Sequence, residues 1–210
     1  MRIISVDFQR DFSAQGGRWF RPRPCVAFLH STIIPYLQRT GEKVAEIISD
    51  YRLPRPLENE AYCVPGTWGF ESEIPIELRE QERWVKSMNS PAWSRAGAGK
   101  PVLSAGTPYP DPSGFDSWLK RVVGSSDVTP EVALIGLVLD CCVLATAAEL
   151  YYRGYRVYYI IEGVDTAHGD PEEKAVLFGT ALSMWGAPLG WDNFLLKQSD
   201  LNSNRGAANG

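Results

Sequence analysis

Three side chains in this 210-residue sequence form a set able to do nucleophilic chemistry: the carboxylate of Asp7, the ammonium of Lys86 and the thiol of Cys142. Each lies at, or just beyond, the end of an apolar run that reads as a β-strand. A thiol attacks as its thiolate, and both a nearby cation and the start of a helix favour that form. A carboxylate within reach can accept the thiol proton and return it to a leaving group. Singly, each residue has a plainer explanation. Aspartate after a strand commonly caps a turn, lysine is commonly a solvated charge, and cysteine is commonly a small buried hydrophobe. Their shared placement at strand ends is what makes the set chemical. Cys141 is the immediate neighbour of Cys142, and consecutive helix residues point about 100° apart, so only one thiol can face a given cleft. Spacing does not choose between the two.

The elements that must position these groups centre on residues 131–165. Val132 to Leu139 is apolar apart from Gly136, as expected of a strand covered on both faces. A small-residue helix pattern follows from Cys142 and closes at Arg153 and Gly154, a cation and a C′ glycine. Residues 155–161 return to β-branched and aromatic types. This is a βαβ unit, whose right-handed crossover makes the two strands parallel neighbours in one sheet. Further strands are expected at Arg2–Val6, at 43–49 before Asp50, at 83–85 before Lys86, and at 193–196. Helices are expected at 25–39, kinked at Pro35 and ended by Gly41, at 113–123 with Ser113 and Asp116 as a capping box, and from Asp170 as N-cap to about Trp185. Strands and helices alternate throughout, which predicts an α/β fold: one doubly wound, mostly parallel sheet of about six strands with helices on both faces. In such a sheet all strand ends of one sense meet at one edge, so Asp7, Lys86 and Cys142 can converge. The prediction is a single domain over 1–198 and a disordered tail over 199–210, which is polar and rich in small residues.

Composition narrows the function. A formal net charge of −4 offers no basic face for nucleic acid or an anionic membrane surface, so neither is expected as a partner. No apolar run reaches the roughly 18 residues of a membrane span. The four cysteines are too few for a disulfide framework, and no signal-peptide pattern is present, so free thiols and a cytoplasmic location are expected. The two histidines, His30 and His168, have no ligand spacing to each other or to the cysteines, so neither metal nor cofactor is expected.

Four segments carry a resemblance to a known family: VDFQRDF at 6–12, VPGTWGFE at 64–71, WVKSMNSPAW at 84–93 and GLVLDCCVLATAAELYYRGYRVYYIIEGVDT at 136–166. Together they resemble the isochorismatase-like cysteine hydrolases, among them nicotinamidases and N-carbamoylsarcosine amidohydrolase, over residues 3 to about 186. The resemblance implies a three-layer α/β/α fold, Cys142 as nucleophile in an Asp-x-Cys-Val context, Asp7 as acid/base and Lys86 as third member of a triad. It also implies a non-proline cis peptide at Leu137–Val138, with the backbone amides of Val138 and Cys142 forming an oxyanion hole. Four features depart from the family: Leu139 replaces a usual threonine, Cys141 adds a thiol, the 92–112 loop is enlarged, and no histidines follow Asp50. Nicotinamidases carry metal-binding histidines there, so a metal-free branch is implied.

The expected pocket walls are loops 10–24, 50–72 and 87–112. Phe12, Trp19, Trp68 and Trp93 are its aromatic candidates, and Arg52 is a candidate for an anionic substrate group. Trp118, Tyr151, Tyr152, Trp185 and Trp191 lie away from the active edge. With the family's habit of assembling through helices, they predict a homo-oligomer. The function predicted is thioester-forming hydrolysis of a small-molecule amide. Its rivals are vinyl-ether hydrolysis by Asp7 without the cysteine, and a silent binding or assembly subunit.

Overall fold

The computed structural model describes residues 1–53, 59–101, 105–124 and 130–208, with 201–208 described by backbone alone. Residues 54–58 and 102–104, parts of two expected pocket loops, lie outside the described residues. The apolar runs form a six-stranded, all-parallel sheet in the order β3-β2-β1-β6-β7-β8. Its strands are β1 (Arg2–Val6), β2 (Ala45–Ser49), β3 (Trp84–Lys86), β6 (Glu131–Leu137), β7 (Arg156–Asp165) and β8 (Ala187–Leu189). A separate antiparallel pair joins β4 (Trp93–Ser94) to β5 (Tyr109–Pro110) within the long loop. The strand order reverses direction between β1 and β6. That junction is the topological switch point, where open α/β sheets hold their ligands.

Side chains alternate along the strands and so feed two cores. Ile3, Ile48, Ala133, Ile135 and Leu137 pack on one face. There they meet α2 (Pro24–Phe28), a π turn (Leu29–Ile33), α3 (Ile34–Thr40) and α7 (Trp191–Ala208). Ile4, Val6, Ile47, Val132 and Leu134 pack on the other face. Its cover is α4 (Pro112–Val122), α5 (Leu144–Tyr152) and α6 (Pro171–Gly179). The result is a three-layer α/β/α sandwich. Gly41 ends α3 in the left-handed conformation at φ 70°, donating its N–H to Leu37. At Gly136, φ is 127°, and a Cβ there would fall 1.9 Å from the carbonyl oxygen of Val6, so only glycine lets β6 approach β1 this closely.

Three expectations need correction. Residues 193–196 are not a strand: they lie inside α7, because Trp191, Phe194, Leu195 and Gln198 recur at helical spacing. Phe194 is fully buried against Trp191 and Tyr36. The sixth strand is instead β8, a short edge that pairs with Tyr158–Ile160. The backbone of 199–208, expected to be disordered, continues α7, whose docked first half nucleates the turns that follow. Gln198 also ties the helix to the N-terminus, accepting from the Met1 ammonium at 2.8 Å and donating to the Met1 carbonyl at 3.0 Å. Finally, α4 is capped by Asp111, which accepts from Gly114 N at 3.0 Å, two residues earlier than the Ser113 box. Asp170 caps α6 as expected. Of the aromatic residues assigned to subunit contacts, Trp118 and Trp191 are buried in the two cores. Tyr151, Tyr152 and Trp185 form a cluster of which the tyrosines are 52% and 71% exposed.

Candidate active site

The first residue beyond β1 is Asp7. Its backbone takes a left-handed φ of 53°, a strained region that aspartate tolerates better than most residues, and its N–H donates to Ile47 O at 2.9 Å. Lys86 ends β3, and Cys142 follows β6 within a π turn, Leu139–Val143, that opens into α5. Three strand ends thus bring these residues together, 135 positions apart in sequence at the extremes, Asp7 to Cys142. Asp7 and Lys86 are 0% exposed and Cys142 is 3% exposed.

The ammonium of Lys86 is the hub. Nζ lies 2.9 Å from Asp7 Oδ2 and 3.3 Å from Cys142 Sγ, and it donates to Ser49 Oγ at 2.7 Å, Tyr51 OH at 2.6 Å and Met88 O at 3.3 Å. Ser49 Oγ in turn donates to Asp7 Oδ1 at 2.9 Å. The Asp7 Oδ2 atom is an ion-pair partner but accepts no hydrogen bond of good geometry, so it keeps acceptor capacity beside the thiol. Tyr51 OH sits 3.6 Å from Cys142 Sγ, and Asn89 Oδ1 sits 4.0 Å from it.

Burial raises the carboxyl of Asp7 from its ordinary 3.8 to about 7, against the pull of Lys86, with Cys142 adding to the rise. The Cys142 thiol is also pushed up, first by its hydrogen bond with Cys141 and then by burial, while Lys86 draws it down. Burial alone would lower the Lys86 ammonium, but Asp7, Cys142 and Tyr51 together hold it well above its ordinary value. At neutral pH the resting set is therefore a charged lysine, a protonated thiol and a carboxyl near its own midpoint.

No protein-family model and no curated protein sequence matches the chain. Solved structures do. An isochorismatase-like hydrolase from Alkaliphilus metalliredigens superposes with a TM-score of 0.59 at 22% identity, over 94% of this chain and 97% of that one. N-carbamoylsarcosine amidase from Thermoplasma acidophilum gives 0.54 at 22% identity, over 90% and 95%. Pyrazinamidase of Pyrococcus horikoshii, in complex with zinc, gives 0.60 at 17% identity, over 90% and 98%. This is the isochorismatase-like hydrolase fold. At these identities the likeness is one of fold.

Zinc in one of the proteins that share the isochorismatase-like fold raises the question of whether this chain has residues to hold it. Asp50, just after β2, is fully buried, and its carboxylate is already engaged. Arg52 grips it with Nε on Oδ1 at 2.8 Å and Nη2 on Oδ2 at 2.5 Å, and Gly99 N donates to Oδ2 at 3.0 Å. The histidines lie elsewhere, His30 beside Glu73 at 3.7 Å and His168 beside Glu173 at 2.8 Å. Among the described residues no three of His, Cys, Asp or Glu converge on one point. The donor set of the described residues does not fit zinc.

Arg52, an expected pocket residue, pairs with Asp50 and also donates to Gly97 O at 3.3 Å. Of the expected aromatic walls, Phe12 meets Tyr62 edge-on and Trp19 meets it at a tilt, at 5.7 and 5.4 Å between centroids. Tyr62 itself meets Tyr51 edge-on at 5.1 Å, next to the thiol. Trp93 lies on β4 beside Lys86, since Ser87 N donates to Trp93 O. Trp68 is half exposed, under the guanidinium of Arg10 at 5.6 Å. Asp140 does not cap α5: its carboxylate accepts from Ala167 N at 3.0 Å, tying the turn to the end of β7. Ser49, Tyr51 and Asn89 were not singled out from sequence. Ser49 and Tyr51 flank Asp50 at a strand end, the one signal that marked them.

Proposed function

We propose that the protein hydrolyses a small-molecule amide through a thioester on Cys142. The observation that carries this reading is the single ammonium, Lys86 Nζ, set 2.9 Å from Asp7 and 3.3 Å from Cys142. Asp7 takes the thiol proton as the sulfur bonds to the substrate carbonyl carbon, and Lys86 stabilises the thiolate character that develops. The backbone amides of Val138 and Cys142 receive the oxyanion. Asp7 returns its proton to the leaving nitrogen as the C–N bond breaks, leaving a thioester and a free amine. Asp7 then takes a proton from water, the oxygen attacks the thioester, and collapse releases a carboxylic acid and regenerates the thiol. A carboxyl with its midpoint near 7 suits both roles. The names of the solved neighbours, an amidase and a pyrazinamidase among them, agree with amide cleavage.

The test is ammonia release across small carboxamides, carbamoyl compounds and ureides, with isochorismate as control, for the unaltered chain, Cys142→Ala and Cys141→Ala. Cys142→Ala should lose roughly three orders of magnitude or more in turnover with the fold intact. Cys141→Ala should cost about 1 kcal/mol of stability and keep turnover. A dead Cys141→Ala beside an active Cys142→Ala overturns the assignment; activity in both points to the cysteine-independent vinyl-ether reaction. Self-association, expected from the aromatic load, now rests on Tyr151, Tyr152 and Trp185, and a monomer mass by light scattering at micromolar concentration would reject it.

A further inference from the structure

Beside the triad lies a buried cation that the mechanism does not use. Arg95 follows β4, which is laid against the end of β3: Ser87 N donates to Trp93 O at 3.0 Å, and Ser94 Oγ donates to Val85 O at 3.2 Å. The chain then turns, with Ala98 N on Arg95 O at 3.1 Å. The turn is pinned to the end of β2 by Arg52 Nη2 on Gly97 O and by Gly99 N on Asp50 Oδ2. These ties place Arg95 next to Asp50 and Tyr51, the tyrosine whose hydroxyl touches both Lys86 and Cys142.

Arg95 is 2% exposed, and its Nε and Nη1 are buried with no hydrogen-bond partner. The surrounding charges do not cancel it. Asp50 is matched by the two-point grip of Arg52, and Asp7 is matched by Lys86, which leaves one guanidinium in excess among the described residues. Among the described residues no carboxylate bonds to it. A buried, unpaired cation is costly, and a guanidinium presents two parallel N–H groups that match a carboxylate. Burial pulls the group below its ordinary pKa, and Asp50 partly restores it.

We infer that Arg95 is the anion-recognition residue of the substrate pocket, so that, on the cysteine-hydrolase reading above, the substrate is a small amide that also carries a carboxylate. The carboxylate would accept from an unpartnered N–H of Arg95, and the scissile carbonyl would lie towards Cys142.

Alkylation of Cys142 by iodoacetate and by iodoacetamide tests this, since the reagents differ in charge and hardly in size. In each case the sulfur bonds to the methylene carbon, iodide leaves, and the thiol proton passes to base. Rates are read at the Cys142 peptide by mass spectrometry in the unaltered chain, Arg95→Gln and Arg95→Lys. The iodoacetate-to-iodoacetamide rate ratio should fall at least tenfold in Arg95→Gln and less in Arg95→Lys, with the iodoacetamide rate within about threefold of the unaltered chain. An unchanged ratio, or an equal loss of both rates, overturns the inference and leaves the cysteine reading standing. No labelling of Cys142 by either reagent overturns the cysteine reading and the inference with it. A measurement on the unaltered chain stands beside these. Succinate should protect Cys142 from iodoacetamide at a concentration at least tenfold lower than neutral succinamide, and equal protection overturns the inference.

Discussion

Replacing Lys86 by methionine removes one buried charge while filling nearly the same volume, and its effect on Asp7 can be worked from the geometry. With Nζ 2.9 Å from Oδ2, Coulomb's law at an effective dielectric of about 20 gives an attraction of roughly 6 kcal/mol. At about 1.4 kcal/mol per pH unit that is roughly four units of depression that Lys86 imposes on Asp7. Relaxation and water entry will recover part of it, so an upward shift of at least two units from about 7 is expected. Lys86 also draws the Cys142 thiol down, so its loss moves both groups of the coupled pair the same way. The assay is the pH dependence of iodoacetamide labelling at Cys142, whose rising limb should move from near 7 to above 9. Stability gives a second readout. The Asp7 carboxyl has its folded pKa above its unfolded 3.8, so the native state binds more protons than the unfolded state between about 4 and 7. Its stabilising share is full below that window and is lost as pH rises through it. In Lys86→Met the window extends past 7, so the melting temperature should go on falling from pH 6 to 9. Breaking the buried pair should cost about 3–5 kcal/mol, or on the order of 10 °C. The double variant Asp7→Asn/Lys86→Met should lose the pH dependence. A labelling limb that stays near 7 in Lys86→Met would refute the reasoning.

Dialysis against a chelator should leave amide turnover unchanged, because Asp50 is held by Arg52 and Gly99; loss of activity that zinc restores would show otherwise. Arg52→Ala should lower the melting temperature by about 10 °C, since it strands a fully buried carboxylate and frees the Gly97–Gly99 turn; an unchanged melt would contradict this. Phe194→Ala should cost roughly 3–5 kcal/mol by chemical denaturation, whereas removing residues 199–210 should shift the melt by no more than a few degrees. A large loss on truncation would mean that the distal turns of α7 carry stability.

The central strands were legible because burial on both faces leaves continuous apolar runs, as in IISV and EVALIGL, and because glycine and aspartate mark their ends. Asp7, Lys86 and Cys142 were legible for the same reason: they are reactive side chains at positions that a parallel sheet gathers at one edge. The periphery was not. In β8, the sequence APL has no alternation, and this edge strand exists only because β7 offers it a partner. The four-residue run NFLL fits a strand or a helix, and the helix won because Trp191 and Gln198 extend its period to the docked face. Ser49, Tyr51 and Arg95 act through tertiary approach across loops. Arg95 in particular is an ordinary loop arginine until the Arg95–Gly99 turn is seen folded over the end of β2. The Arg52–Asp50 pair was likewise not legible, because it forms only where the strand end buries the carboxylate.

The reversal of strand order between β1 and β6 has a consequence for how the chain is made. As it leaves the ribosome, β1, β2 and β3 can pair at once, but the partner on the other side of β1 is not synthesised until residue 131. For most of synthesis, β1 is therefore an open edge carrying Ile3, Ile4 and Val6, the kind of strand that pairs with other chains. Docking of β6 closes that edge and, in the same step, carries Cys142 to the waiting carboxylate and ammonium. The half-made sheet is exposed to aggregation and lacks the Asp7–Lys86–Cys142 cluster, whose completion coincides with the sealing of the sheet.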